Sequence, residues 1–203
     1  MDRRYYISIL LLVSSIVPVE DRTRYLSPSD WQALNEGDII TKKTMDGYDN
    51  GDFTLYKRYS GSIDSLFSAI TDFDSYPEFM PHVVNTKIIK TDGKDTVLEY
   101  QVEFFYGFTK RYKLLMTERE IDGRLYLFWE KIPWDELYAI QTIQDTHGYW
   151  ELRKLDDGGS LIVYRTYIDP GLIPYGVNYL IDILVEASLP EIILKSIERA
   201  EGR

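Results

Sequence analysis

The sequence predicts an α+β domain: a curved antiparallel sheet of about six to seven strands wraps around a long C-terminal helix, with a short helix pair after the first strand. Two patterns predict this arrangement. Alternating apolar and polar residues, separated by hairpin turns, run through the middle of the chain, and an apolar stripe of helical spacing occupies its C-terminal end. Because a meander has one apolar face to cover, a single long apolar helix can serve as its cover.

The composition fits one globular domain. The chain has 203 residues, of which 44% are hydrophobic and 14% aromatic, and it contains 17 tyrosines. That length can bury a core without disulfides, and the aromatic content argues against disorder. Tyrosine suits half-buried strands and the walls of cavities, since its ring is apolar and its tip is polar.

Charge and cysteine content exclude several classes of function. A net charge of −10 repels phosphate backbones, which argues against nucleic-acid binding, and it disfavours stable docking on anionic membranes. The same charge favours a soluble monomer. The chain has no cysteine, which excludes disulfides, zinc-thiolate sites, thiol nucleophiles and a lipid anchor on cysteine.

The first residues resemble an export signal. Arg3 and Arg4 precede an apolar run over residues 5–13, and small residues follow up to Ser15. The run is too short to span a bilayer, which needs roughly 20 apolar residues. We therefore expect a signal peptide over residues 1–15 and a periplasmic or secreted mature protein. A buried N-terminal strand and an uncleaved membrane tether are the alternatives.

An N-terminal extension over residues 16–52 precedes the main domain, which we place at residues 53–203. Within the extension, Ser27 and the proline after it predict the start of a short helix that ends at Gly37. Residues 38–44 then predict a strand.

The main domain begins with a strand over residues 53–59 and a helix over residues 63–72 that Ser62 caps. Pro77 and Pro81 predict an extended or turning path after it rather than a helix. Six further strands are predicted over residues 83–91, 96–106, 109–121, 124–131, 147–155 and 160–168.

The link over residues 132–146 allows two interpretations, a lid loop or a further strand through residues 138–143, and β propensity favours the strand. At the C-terminus, apolar residues at helical spacing predict a long helix. Pro190 interrupts it, and a capping box over residues 188–191 indicates a restart, so we expect one kinked helix or two helices in line.

Three segments resemble a known family. The helix and proline turn over residues 63–81, the Gly148-Tyr-Trp150 strand and the Asp169-Pro170-Gly171 turn are similar to those of START-like (SRPBCC, or helix-grip) proteins of the polyketide cyclase/dehydrase and coenzyme Q-binding type. The short leader around Trp31 is similar to one found on exported members. The resemblance implies a cavity for lipids, quinones, polyketides or other apolar ligands, and it implies no universal catalytic residue.

A strongly curved sheet has more apolar surface than one helix can fill, so some aromatic residues should line a ligand cavity; plain core packing is the alternative for each. The candidate ligand-binding residues of the sheet are Tyr100, Phe104, Tyr106, Trp129, Trp134, Trp150, Tyr164 and Arg165. Arg165 is ambiguous, because both faces of its strand are apolar. Val177, Ile181 and Leu184 would form the opposite wall from the helix.

No motif in the sequence predicts a nucleotide site, a hydrolase or a metal site, and we expect no cofactor. We therefore expect first a carrier or sensor of a hydrophobic small molecule or lipid, with no chemistry. A second hypothesis is a cyclase/dehydratase acting on a polyketide-like substrate, in which a tyrosine or His147 moves a proton. A third is a partner-binding module like some coenzyme Q-associated relatives, in which an exposed patch matters more than the cavity.

Overall fold

The structure, a computed structural model, describes residues 20–44, 51–105, 107–173 and 178–202. The predicted signal peptide lies outside these residues, so the signal and the exported location stay predictions. Tyr106 and Val177 also lie outside them, as do the side chains of Ile181 and Leu184.

Within the described ranges, the chain forms eight strands and four α-helices. The strands are β1 (Ile39–Thr44), β2 (Asp52–Tyr59), β3 (Val83–Asp92), β4 (Asp95–Phe105), β5 (Phe108–Ile121), β6 (Arg124–Ile132), β7 (Asp145–Lys154) and β8 (Ser160–Asp169). The helices are α1 (Pro28–Glu36), α2 (Ile63–Thr71), α3 (Tyr76–Phe79) and α4 (Asn178–Ala200). None of these helices is long and apolar enough to cross a membrane.

The strands form one antiparallel sheet in the order β1-β2-β8-β7-β6-β5-β4-β3. The predicted α+β fold is confirmed, and the sheet has eight strands rather than about six to seven. The strand predicted over residues 38–44 of the extension is β1, which pairs with β2 and so adds an edge strand to the sheet. Because β2 lies next to the edge strand β1 and also pairs with β8, helices α2 and α3 carry the chain from one side of the sheet to the opposite edge at β3.

Local sequence signals account for α1. The Ser27 side chain accepts a hydrogen bond from the Asp30 backbone N–H at 3.2 Å, and the Asp30 carboxylate accepts one from the Ser27 N–H at 2.7 Å. This capping box supplies partners for two amides. Gly37 then ends the helix as predicted, in the left-handed conformation that glycine adopts without a steric penalty.

The segment after α2 was predicted wrongly. Instead of an extended or turning path without a helix, residues 73–75 form a 3-10 turn and the short helix α3 follows at once. Pro77 lies in the first turn of α3, where its missing N–H removes no hydrogen bond, so the proline starts a helix there.

The strand predicted over residues 138–143 is also wrong. Residues 133–144 form a series of turns between β6 and β7. In this segment Ile143 is fully buried while Tyr138 is 77% exposed, so its apolar residues do not form one paired strand face. At the C-terminus, Pro190 lies inside the single helix α4, which agrees with one of the two predicted alternatives.

The sheet buries residues on both faces. On its concave face, α2 and the C-terminal part of α4 cover the main core, which includes Leu66, Ile70 and Ile193. On the convex face, the N-terminal extension covers a second apolar cluster. Its buried members are Leu26, Leu34, Tyr56, Tyr126, Tyr149, Leu161 and Val163.

Candidate functional site

A cavity of about 160 Å³ lies between the concave face of the sheet and the C-terminal part of α4. It is comparable in size to an engineered apolar cavity of about 150 Å³ that binds benzene. The sheet contributes Val83, Tyr100, Val102, Phe104, Tyr112, Leu114, Met116, Trp129, Thr146, Trp150, Tyr164, Thr166 and Ile168 to its lining. The α3 region contributes Tyr76, Met80, Pro81 and His82, and α4 contributes Ser188, Leu189 and Ile192.

Strand register brings the aromatic residues of the cavity together. Tyr100 lies directly opposite Tyr112 on neighbouring strands, and their ring centroids are 5.3 Å apart. Trp150 lies opposite Tyr164 with a centroid distance of 4.6 Å. Cross-strand neighbours on one face of an antiparallel sheet are close enough to pack, so these two pairs form an aromatic floor of the cavity.

Gly148 makes room for Trp129. The two residues are cross-strand partners, and a Cβ atom on Gly148 would lie 2.5 Å from the Trp129 ring and would also collide with a backbone carbonyl. The bare backbone therefore lets the indole lie across β7 and stack on Tyr164, with ring centroids 5.4 Å apart.

Several hydroxyl groups in the lining have partners within the protein. Tyr76 donates to the Ile70 carbonyl at 2.5 Å, and Thr146 donates to the Tyr167 carbonyl at 2.8 Å. The hydroxyls of Tyr100 and Tyr112 form no hydrogen bond with any residue that the structure describes.

The tyrosines of the cavity stay protonated at neutral pH. Burial raises the pKa of Tyr164 to about 12, and a hydrogen bond with Thr166 partly opposes that rise. Burial also raises the pKa values of Tyr76, Tyr100 and Tyr112 above the ordinary value. Each group is therefore a neutral hydroxyl that can donate a hydrogen bond.

None of the described lining residues is an aspartate, glutamate, lysine or arginine, and His82 is exposed at the rim. Lys110 shares the concave face of β5, but its ammonium donates to the carbonyls of Thr142, Pro170 and Leu172 at 2.7–2.8 Å. Burial lowers the pKa of Lys110 to about 8, so the ammonium is charged at neutral pH. Its hydrogen bonds connect the loop before β7 to the segment after β8.

The model of the family described as polyketide cyclase / dehydrase and lipid transport matches residues 60–171. The chain belongs to this family. The resemblance expected from residues 63–81 and from the two later segments is therefore confirmed. A comparison of the sequence with curated proteins finds no match.

Solved structures of similar fold include members with different recorded roles. A STAR-related lipid transfer protein from Xanthomonas axonopodis has a TM-score of 0.63 at 18% identity, covering 78% of this chain and 93% of that one. Human StAR-related lipid transfer protein 5 has a TM-score of 0.65 at 10% identity, covering 82% of this chain and 83% of that one. The Zhui aromatase/cyclase from Streptomyces sp. R1128 has a TM-score of 0.54 at 10% identity, covering 81% of this chain and 93% of that one. At these identities the likeness shows the fold.

In this member of the polyketide cyclase / dehydrase and lipid transport family, five of the predicted site residues line the cavity. They are Tyr100, Phe104, Trp129, Trp150 and Tyr164. Their role in binding a ligand stays a prediction.

Trp134 and Arg165 are not among the residues that line the cavity. The Trp134 ring packs against the cationic groups of Arg111 and Lys113, at 4.7 and 4.6 Å from the ring centroid, on the convex face of β5. Arg165 donates two hydrogen bonds to Asp52, at 3.1 and 2.6 Å, also on the convex face.

His147 lies on the convex face as well. Its ring stacks on Tyr167 with centroids 4.8 Å apart, and its Nδ1 lies 3.3 Å from the Asp145 carboxylate. It is therefore not placed to move a proton on a molecule in the cavity. No group of three or more histidine and acidic residues within the described ranges is arranged to hold a metal ion.

Sequence reasoning missed the whole wall formed by β5. Tyr112, Leu114 and Met116 alternate along that strand and share the concave face, so period-2 spacing was the available signal. Period-2 spacing could not have found Tyr76 and Met80. Tyr76 begins the short helix α3, Met80 directly follows it, and both line the cavity.

Proposed function

We propose that this protein binds a hydrophobic small molecule or lipid in the concave-face cavity and acts as a carrier or sensor. One observation supports the proposal above others: the described walls are apolar and aromatic and carry no acidic residue, lysine or arginine, yet they leave a space of about 160 Å³. Burial of apolar ligand surface, at about 25 cal/mol per Å² before the costs of ordering, would provide the binding free energy.

The family supports the same class of function, since its description includes lipid transport. The description also includes cyclases, so an enzyme is the main alternative. The lining favours a carrier, because hydroxyls whose pKa values are raised by burial are poor bases at neutral pH. The imidazole of His147, which could have served as a base, lies on the other face of the sheet.

Binding can be tested with the neutral fluorophore N-phenyl-1-naphthylamine, whose emission rises in apolar surroundings. Ile192 lines the cavity from α4, so an Ile192→Trp side chain would fill part of that space. Leu194 lies on the same helix but is 44% exposed, so Leu194→Trp is the matched control. We expect at least tenfold weaker binding for the first variant and less than a twofold change for the second.

Circular dichroism and a thermal melt would show that both variants are folded. Folded Ile192→Trp protein with wild-type affinity would exclude the cavity as the binding site. Native mass spectrometry of protein purified from its own host, followed by lipid extraction, would identify the natural ligand.

A further inference from the structure

Two tyrosines whose hydroxyls have no partner among the described residues lie side by side in the floor of the cavity. Tyr100 and Tyr112 are direct cross-strand partners with ring centroids 5.3 Å apart and planes inclined by 37°. Neither hydroxyl has a hydrogen-bond partner among the described residues. Both side chains line the cavity, and neither oxygen is among the described polar atoms that are fully buried without a partner.

Tyr149 provides a contrast on the convex face. Its hydroxyl is also without a partner, but that oxygen is fully buried among packed side chains. A ligand could reach the first two hydroxyls and not the third. A donor that faces an apolar space gains a hydrogen bond only when a molecule in that space supplies an acceptor.

The residues around the cavity also disfavour a negatively charged ligand. Within the described lining there is no lysine or arginine to neutralise an anion, and Lys110 already donates to three backbone carbonyls. Moving a carboxylate or phosphate into such a space would cost its hydration without a counter-charge. A neutral oxygen acceptor carries a much smaller desolvation cost.

We propose that the cavity selects apolar molecules that carry a neutral oxygen acceptor, such as a ketone or ester carbonyl, and that Tyr100 and Tyr112 donate hydrogen bonds to that oxygen. This inference rests on the proposed binding function and names its ligand class. The two tyrosines are recognition groups, and no covalent step is involved. The raised pKa values of both hydroxyls keep them in the donating form.

Three matched naphthalenes test the proposal by displacing N-phenyl-1-naphthylamine at pH 8: 2-acetylnaphthalene, 2-ethylnaphthalene and 2-naphthoate. The ketone should bind about two- to tenfold tighter than the hydrocarbon, which is the range of one net hydrogen bond. The naphthoate should bind at least tenfold more weakly than the ketone. Tyr100→Phe and Tyr112→Phe should each reduce the preference for the ketone over the hydrocarbon, and the double variant should abolish it. Tyr149→Phe is the matched control and should leave the preference unchanged.

The outcomes separate this proposal from the binding function. If both neutral naphthalenes bind equally, or if the double variant keeps the preference for the ketone, the hydrogen-bonding role is wrong while binding in the cavity stands. Naphthoate binding as tight as that of the ketone would overturn the preference for neutral ligands. If the fluorophore and both neutral naphthalenes fail to bind wild-type protein, both proposals fall.

Discussion

The two faces of the sheet are built from the same strands but are packed in opposite ways. The concave face carries large aromatic residues around a cavity, and two of their hydroxyls have no partner within the described residues. The convex face is closed by the N-terminal extension, whose Leu34 is fully buried against the sheet. Because side chains alternate along a strand, one sequence can specify a hollow face and a filled face at the same time.

The convex face also holds buried charge, which the described cavity walls lack. Glu151 is 1% exposed and lies 3.1 Å from Arg124 and 3.7 Å from Arg153. Arg153 also lies 3.4 Å from Asp21 of the extension. Burial raises the pKa of Glu151, and the two arginines oppose that rise. The ion pairs help join the extension to the sheet, whereas the described cavity walls offer an ionic ligand no partner.

The contrast predicts unequal costs for the same truncation on the two faces. Leu161 is fully buried in the convex cluster, so Leu161→Ala should lower the free energy of unfolding by about 3 to 5 kcal/mol. Leu114 already borders empty space, so Leu114→Ala should cost only about 2 kcal/mol, since fewer contacts are lost. Urea unfolding followed by circular dichroism measures both. Equal losses would mean that the concave face is as densely packed as the convex one.

The stability of the fold at alkaline pH tests whether water is excluded from both faces of the sheet. Burial raises the pKa values of Tyr164, in the cavity, and of Tyr149, on the convex face, to about 12 from an ordinary value of about 10. The unfolded chain therefore loses these protons first, and the stability that each group contributes below pH 10 is lost as the pH rises toward 12. Lys110 acts in the opposite direction, because a lowered pKa adds stability between about pH 8 and 10.5.

We expect the free energy of unfolding to fall between pH 10 and 12. Tyr164→Phe and Tyr149→Phe should each make that fall shallower, by up to about 1.4 kcal/mol per pH unit. Urea titrations at several pH values would measure the slopes. If only Tyr149→Phe changes the slope, water fills the cavity and Tyr164 titrates as it does in the unfolded chain.

The sequence predicted the fold well, because alternation and turn signals are local. The apolar residues on both faces of β8 were a further signal, since Leu161 and Val163 share the convex face with Arg165 and the extension covers them. Errors arose where non-local contacts decide the outcome. The sequence around Trp134 does not show that its ring folds back onto two cations of β5, and nothing local to Arg165 shows that Asp52 lies across the sheet.

Substitutions of Arg165 and Trp134, which lie on the convex face, should have the smallest effects of those proposed here. Arg165 and its Asp52 partner are only partly buried, so Arg165→Gln should lower the free energy of unfolding by about 1 kcal/mol. Because the guanidinium lies on the convex face, the affinity for N-phenyl-1-naphthylamine should change less than twofold. Trp134→Ala should likewise leave that affinity unchanged. If either folded variant bound N-phenyl-1-naphthylamine more than tenfold more weakly, the binding site would lie on the convex face and not in the concave-face cavity.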